Sequence, residues 1–390
     1  MNKNEKETLR TEKRKKELEQ LKKQRDNDIK SCNTVYEARK STLKKNKRYH
    51  WPLFCGLKAQ RILSGYRIHV LNELPKTYVN SQNEELFTFD RPIIFAPNHV
   101  RKKDIETLLE VFKKHVILLS GDFENLHGTL SGSLLEKNGI IYFDMDDPYN
   151  NGELKSDKKY LEELKEYIKL TDDTVLKEEY ENELKKYNKK IANIINDRKN
   201  VKEVERQVLN TSNDIVKFFE ASWNLFPNLL VCNGYYSLVQ TAVDTNALVI
   251  PVIYEQPVDF DMNDKDIYIK FGKPIDYLEK YGINNNVKIK RELTHEEKKE
   301  GLQELRDQLA TLLYEILEEY CAVRRKDIPK DYWEKYKNHV LSEWYFNEED
   351  IKKRHFIDKT ITEQKDAFEH LNNLHLNKNN AFLLNKRNHQ

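Results

Sequence analysis

The sequence is short of apolar residues and of cysteine. Hydrophobic residues make up 38% of the 390 positions, below the average of globular proteins, while charged residues make up 34%, above it. The four cysteines, Cys32, Cys55, Cys232 and Cys321, form no CxxC pair, so neither a zinc site nor a disulfide framework is predicted. This cysteine usage fits a reducing, cytoplasmic setting.

Long apolar runs are also missing. No stretch approaches the ~18 apolar residues that a membrane-spanning helix needs. The first residues are charged from position 3 onward and contain no apolar core of a secretory signal. We therefore expect neither a transmembrane helix nor a signal peptide, and a protein that meets a membrane only peripherally, at its cytoplasmic face.

Charge is distributed unevenly along the chain. Residues 1–48 contain 17 Lys and Arg against 8 Asp and Glu, a net charge of +9, whereas the rest of the chain has a net charge of −7. A basic arm ahead of a near-neutral body indicates an anionic partner, either a membrane surface or a nucleic acid. Because no nucleic-acid-binding motif accompanies the charge, we expect an anionic lipid surface and no nucleic acid.

Short apolar runs alternate with amphipathic segments, which is typical of an α/β fold. The predicted strands are Ile93–Ala96, Val116–Ser120, Gly139–Phe143, Asp214–Phe219, Leu248–Tyr254 and Ile267–Phe271. The predicted helices between them are Ile105–His115, Ser133–Lys137 and Tyr235–Asp244, and a long amphipathic helix covers 294–322. Continuously apolar strands of this kind favour a mostly parallel central sheet flanked by helices.

The same patterns predict three regions. Residues 1–48 form a helical or disordered arm, residues 49–285 an α/β domain, and residues 286–390 a helical C-terminal extension. Within the domain, the charged stretch at about 148–197 is predicted to be an insertion of one or two solvated helices. A helical hairpin fits this pattern, and we expect no catalytic residues in it. The aromatic, aliphatic and basic mixture at 49–72 leaves two alternatives open: a helix lying in a headgroup region, or a core helix leading into a strand.

The most informative motif follows the strand Ile93–Ala96. After Pro97 the chain continues Asn98-His99-Val-Arg-Lys-Lys-Asp104, so a histidine leaves the strand and an aspartate follows five positions later. Histidine is the side chain best suited to accept a proton near neutral pH, and a carboxylate can hold its ring in one tautomer. The pair therefore indicates a general base that activates a substrate hydroxyl, as acyl transfer to an alcohol requires.

Four blocks of the chain, in order, resemble the 1-acylglycerol-3-phosphate acyltransferase family, also called the glycerolipid acyltransferases. The blocks are Asn98-His99-x4-Asp104, Gly139-Ile-Ile-Tyr-Phe-Asp144, Phe218-Phe219-Glu220-Ala221-Ser222-Trp223-Asn224 and Val249-Ile250-Pro251-Val252. The third block, with its following Trp-Asn, is similar to a bacterial subgroup. The ordered set is much more specific than any block alone.

The chain departs from the family pattern at two blocks. Met145 stands directly after Asp144, where the family usually has Arg; Arg198 is the preferred stand-in and Arg206 a weaker one. In the third block, the family's Phe-Pro-Glu-Gly-Thr becomes Phe-Phe-Glu-Ala-Ser, which keeps Glu220 and the hydroxyl of Ser222.

The resemblance implies a phospholipid-forming acyltransferase, with His99 as general base and Asp104 orienting it. The donor would be a thioester of coenzyme A or acyl carrier protein, and the acceptor a lysophosphatidic acid-like alcohol. No metal or tightly bound cofactor is implied. The residues expected to bind substrate are Asn98, Arg101, Lys102, Lys103, Gly139, Arg198, Glu220 and Ser222.

One alternative from another functional class remains open. The altered third block also fits a catalytically degenerate relative that binds lipid or acts as a scaffold. Turnover of an acyl thioester would distinguish the two.

Overall fold

The computed structural model describes only part of the chain. The described residues are 16, 19, 20, 23, 51–101, 103–112, 116–120, 139–142, 153–171, 174–211, 213–220, 231, 234, 236–284, 287–288, 290–344 and 380–382. All but four residues of the predicted basic arm, and the predicted helix Ser133–Lys137, lie outside these ranges.

The described residues form the following helices and strands. The helices are α1 (Trp51–Leu63), α2 (Asp104–Phe112), α3 (Glu153–Thr171), α4 (Thr174–Asn210), α5 (Ser237–Thr245), α6 (Tyr277–Tyr281), α7 (His295–Tyr320) and α8 (Tyr332–Trp344). The strands are β1 (Arg67–Val70), β2 (Thr77–Val79), β3 (Glu85–Phe87), β4 (Ile93–Pro97), β5 (Val116–Ser120), β6 (Ile140–Tyr142), β7 (Asp214–Lys217), β8 (Leu248–Glu255), β9 (Asp266–Phe271), β10 (Ile283–Asn284), β11 (Val287–Lys288), β12 (Ala322–Arg324) and β13 (Asn380–Phe382).

The chain divides into two compact units. The first contains residues 1–46, 120–136 and 140–205, and therefore β6, α3 and most of α4; the second contains the remaining residues. In the first unit, α3 and α4 form a helical hairpin around the buried side chains of Tyr160 and Leu164. The Tyr160 hydroxyl donates to Glu179, and Lys190 binds Asp157 at 2.7 Å, so ionic contacts supplement this small apolar core.

Six strands of the second unit form its sheet, in the order β1-β9-β8-β4-β7-β5. β4 pairs in parallel with β7 and β8, β5 with β7, and β1 with β9; only the β8–β9 pair is antiparallel. The mixed α/β class with a mostly parallel central sheet is confirmed. All five residues of β4 and all eight of β8 are buried. The apolar runs at 93–97 and 248–254 predict this burial, and the last residue of β8, Glu255, is buried with them.

Helix α7 completes the core of this unit. A capping box fixes its start, since Thr294 Oγ1 accepts from Glu297 N–H and the Glu297 carboxylate accepts from Thr294 N–H. The helix packs on β8 and α5, and its buried residues include Leu302, Leu305, Leu309, Leu313, Ile316 and Leu317. The predicted helix is thus present, and its leucine stripe covers the sheet of the second unit.

Candidate active site

The site begins where the central strand β4 ends. β4 lies between β7 and β8, and Asn98 and His99 follow its last residue, Pro97. The next helix, α2, begins at Asp104. In parallel α/β sheets, the carboxyl ends of the strands form the crevice in which ligands bind. The motif therefore lies where such folds carry out their chemistry.

His99 and Asp104 are in direct contact. Nδ1 of His99 lies 2.7 Å from Oδ2 of Asp104, whose side chain is 0% exposed. The same oxygen accepts from the backbone N–H groups of Val100, at 3.2 Å, and Arg101, at 3.4 Å. Since Asp104 also opens α2, the helix dipole favours its negative charge. The buried carboxylate is thus held by several donors, and it fixes the ring.

This contact determines which ring nitrogen is basic. When Nδ1 carries the proton and donates to the carboxylate, the neutral imidazole has its lone pair on Nε2. The carboxylate also stabilises the imidazolium that forms when Nε2 accepts a proton. The pair can therefore act as a general base with a fixed orientation.

Glu220 holds the backbone of His99. It follows β7, where Phe219 N–H donates to the Pro97 carbonyl at 2.8 Å and so extends the pairing of β7 with β4. Oε2 of Glu220 accepts from His99 N–H at 2.8 Å, and the residue is buried. Sequence reasoning placed Glu220 beside the acceptor; this contact shows it fixing the histidine main chain.

Phe218 packs against the face of the His99 ring. The ring centroids are 4.2 Å apart and the planes are inclined by 30°. The imidazole is thus fixed by a carboxylate at its edge and an aromatic ring at its face. Sequence reasoning missed this role, and the only signal was the aromatic residue two positions before Glu220.

Both polar atoms of the Asn98 side-chain amide form hydrogen bonds with the backbone of one residue, Tyr254. Its Nδ2 donates to the carbonyl of Tyr254 at 3.0 Å, and its Oδ1 accepts from the Tyr254 N–H at 2.8 Å. Asn98 is itself fully buried. The side chain therefore ties the end of β4 to β8.

The basic residues of the motif differ in environment. The Arg101 guanidinium is buried and binds Asp264 at 2.6 Å, whereas Lys103 is partly exposed and pairs with Glu106 on α2 at 2.9 Å. Lys102 lies outside the described residues. Of the predicted phosphate ligands in this run, Lys103 is the described one that reaches solvent.

Four residues singled out in the sequence remain: Gly139, Arg198, Ser222 and Arg206. Gly139, with φ of +99°, immediately precedes β6, and this backbone conformation favours glycine. Arg198 lies within α4 in the first unit, and its side chain lies outside the described part of the structure. Ser222 lies outside the described residues. Arg206 binds Asp244 of α5 in the second unit.

Metal ligands are not clustered in the described part of the chain. No group of three or more His, Cys, Asp or Glu side chains is arranged there to hold a metal ion. The prediction that no metal or cofactor is needed stays a prediction.

No family model and no curated protein matches the sequence. Among solved structures, the chain is similar to the 1-acyl-sn-glycerophosphate (LPA) acyltransferase PlsC from Thermotoga maritima, at 13% identity and a TM-score of 0.38, covering 68% of this chain and 79% of that one. At this identity and TM-score, the similarity carries no argument for the activity of this chain.

Proposed function

We propose that the protein is an acyltransferase that moves a fatty acyl group from a thioester to the hydroxyl of a lysophosphatidic acid-like acceptor. The observation that carries the proposal is the 2.7 Å contact between His99 Nδ1 and the buried Asp104 carboxylate at the end of the central strand. A general base placed in this way serves a reaction whose nucleophile is the substrate's own hydroxyl.

The reaction needs one proton carrier. His99 Nε2 takes the proton of the acceptor hydroxyl while its oxygen attacks the thioester carbonyl carbon. The tetrahedral intermediate then collapses, the carbon–sulfur bond breaks, and the proton passes from His99 to the leaving thiolate. An ester and a free thiol result, and Asp104 stabilises the imidazolium between the two steps.

Substrate binding falls to fewer residues than the sequence suggests. Lys103 is the described motif cation that reaches solvent, so we assign it, with Lys102, to the acceptor phosphate, and Ser222 to the acceptor side. The phosphate-binding role of Arg198 stays a prediction. Asn98, Arg101 and Glu220 each have a partner within the protein. Such contacts favour a role in shaping the site for these three residues.

A membrane surface is the proposed source of the acceptor. Within the described residues, no helix is both long and apolar enough to cross a bilayer. Helix α1 exposes Trp51, Ile62 and Leu63 to solvent beside the basic residue Lys58. An amphipathic segment of this composition suits peripheral contact with anionic lipid at the cytoplasmic face, and acyl-CoA or acyl carrier protein would supply the donor.

Thiol release by the purified full-length chain tests the proposal. Acyl-CoA and lysophosphatidic acid are supplied on anionic vesicles, and the wild type is compared with His99→Gln. His69→Gln is the matched control, because Nε2 of His69 also contacts an aspartate, Asp266, at 2.8 Å, but on the edge strand of the sheet. We expect thiol release and phosphatidic acid from the wild type and the control, and neither from His99→Gln.

Two results would contradict the proposal. Undiminished transfer by His99→Gln would refute the mechanism. Absence of turnover by the wild type with acyl-CoA and with acyl carrier protein, together with retained vesicle binding, would favour the lipid-binding or scaffolding relative. Mass spectrometry of lipids from cells that lack their own 1-acylglycerol-3-phosphate acyltransferase identifies an acceptor that the purified assay omits.

A further inference from the structure

Arg101 is the largest fully buried side chain of the described residues, although it lies inside the motif run. Its side chain is 2% exposed, and Nη2 lies 2.6 Å from Oδ2 of Asp264, which is 7% exposed. Nη1 also donates to the Gln256 carbonyl at 3.3 Å. A buried charge is tolerated when it is paired and hydrogen-bonded, and both conditions hold here. The guanidinium is therefore directed into the protein.

Asp264 has a second partner on helix α8. Nε2 of His339 lies 3.1 Å from the Asp264 Oδ2 that also binds Arg101. His339 is 29% exposed, so the trio Arg101–Asp264–His339 extends from the interior to the surface. One carboxylate oxygen thus joins the motif run to a helix more than two hundred residues later in the chain.

Asp264 lies in the loop between β8 and β9, and helix α8 makes a second contact with this loop. The buried hydroxyl of Tyr332 donates to the Val258 carbonyl at 2.6 Å. Tyr332 and His339 are seven residues apart, which is about two helical turns, so they lie on one face of α8. The helix therefore contacts the loop between β8 and β9 with one face, at two points.

The loop is also tied to the end of β4. The Tyr254 hydroxyl bonds to Gln256, whose Nε2 donates to the Asp264 carbonyl at 3.0 Å. The Asn98 side chain forms two hydrogen bonds with the backbone of Tyr254. A continuous set of buried polar contacts thus leads from α8 to both sides of His99, and satisfied buried networks of this kind rigidify a site.

We propose that Arg101, Asp264 and His339 are positioning residues that hold the turn after β4 in the conformation in which Asp104 receives His99. The backbone supplies the link, because Arg101 N–H donates to Asp104 Oδ2 and the Arg101 carbonyl accepts from Asp104 N–H, both at 3.4 Å. A displaced guanidinium moves both contacts, and with them the carboxylate that orients the base. This role rests on the proposed acyl transfer and assigns part of the site to helix α8.

The test compares this trio with a similar one at the surface. Arg67 and His69 contact the two oxygens of Asp266 at 2.6 and 2.8 Å, away from the motif. Asp264→Asn and His339→Gln are therefore matched by Asp266→Asn and His69→Gln. Each variant is measured for kcat, for the acceptor KM and for thermal unfolding.

A positioning role predicts a loss in kcat. We expect about a hundredfold lower kcat for Asp264→Asn and about tenfold for His339→Gln, because small displacements of catalytic groups are costly. The acceptor KM should stay within about twofold, since no substrate contact is removed. The two surface variants should match the wild type in kcat and in the acceptor KM. If Asp264→Asn does not fold, the positioning role is tested by His339→Gln, which changes a partly exposed side chain.

A second readout does not depend on turnover. In protein labelled with ¹⁵N-histidine, the His99 ring nitrogens are assigned by the signals lost in His99→Gln. Their chemical shifts report the tautomer, and they should change in His339→Gln but not in His69→Gln. This measurement decides the positioning role even if the wild type transfers no acyl group, so failure of the proposed function and failure of this inference are distinguishable.

Two outcomes would overturn the inference. The first is unchanged kcat and unchanged His99 ring shifts in both Asp264→Asn and His339→Gln. The second is an Arg101→Lys variant that raises the acceptor KM while keeping kcat, because that pattern identifies Arg101 as a substrate ligand.

Discussion

Replacing Asp104 by Asn is the most direct test of the base. The substitution keeps size and shape but removes the negative charge beside His99. Two orientations of the amide are possible. With its oxygen toward the ring it still accepts from Nδ1, but as a neutral group; with its nitrogen toward the ring it forces the other tautomer and removes the lone pair from Nε2.

The magnitude follows from the geometry. The His99 ring and the Asp104 carboxylate form a hydrogen-bonded pair with N and O 2.7 Å apart, and the carboxylate is fully buried. Charge centres ~4 Å apart at an effective dielectric constant of ~20 interact by ~4 kcal/mol. Since ~1.4 kcal/mol changes a rate tenfold, the charge contributes up to ~10³-fold to kcat. We expect a loss of about 10²- to 10³-fold, with the acceptor KM unchanged.

The assay is steady-state thiol release by wild type, Asp104→Asn, His99→Gln and the double variant, with circular dichroism and urea unfolding as checks on folding. The double variant should be no worse than His99→Gln alone, because the two residues act as one unit. Asp266→Asn, which removes a partly exposed carboxylate that also binds a histidine, is the control. An Asp104→Asn variant within about threefold of wild-type kcat would refute the coupling of carboxylate and base.

Three further predictions concern stability and reactivity. Gly234→Ala should lower the unfolding free energy by ~1–3 kcal/mol, because its Cβ would lie 2.5 Å from the buried ring of Phe219; urea unfolding measures this, and an unchanged midpoint contradicts it. The hydrogen bond from Arg67 lowers the pKa of Asp266 from 3.8 to about 2, so the stability that Asp266→Asn removes, at most ~1 kcal/mol for a surface pair, should be present above about pH 4 and vanish towards pH 2 in paired thermal melts. Burial raises the pKa of the Cys321 thiol far above its usual range; peptide mapping after iodoacetamide treatment of the folded protein at pH 8 should find it unmodified, and rapid alkylation would show that the thiol is accessible.

The sequence predicts the centre of the sheet well and its edge poorly. Ile93–Pro97 is an uninterrupted apolar run, and Leu248–Glu255 is apolar up to Tyr254; both strands are buried over their full length. The edge strand Arg67–Val70 is mostly exposed and has no such run. Its place is fixed by pairing with Asp266–Phe271, a strand about two hundred residues later. The sequence of 67–70 alone does not predict that pairing.

Helix α1 and strand β1 show which of their features the sequence of residues 49–72 predicts. The alternative of a helix leading into a strand matches the secondary structure at 51–63 and 67–70. Phe54 is buried, whereas Trp51 and Leu63 are exposed. Contact of this exposed face with lipid stays a prediction, because amphipathicity alone does not identify what covers the apolar side.

Local spacing predicts the His99–Asp104 pair, but not the contacts that surround it. A five-residue turn is enough to bring the two side chains together. The partners Glu220, Phe218 and Asp264 depend on which strands are neighbours and how far each extends. Such contacts join residues more than a hundred positions apart, so no local pattern contains them.

The basic run inside the motif shows why charge counted along a sequence overstates charge at a site. Arg101 is neutralised by Asp264 in the interior, and Lys103 is partly offset by Glu106 on its own helix. Fewer described cations of this run are therefore available to attract the proposed anionic acceptor than three adjacent basic residues suggest. In the positioning role proposed above, the buried ion pair of Arg101 and Asp264 holds the turn that carries His99. One positive charge of the motif then supports the orientation of the proposed base instead of binding phosphate.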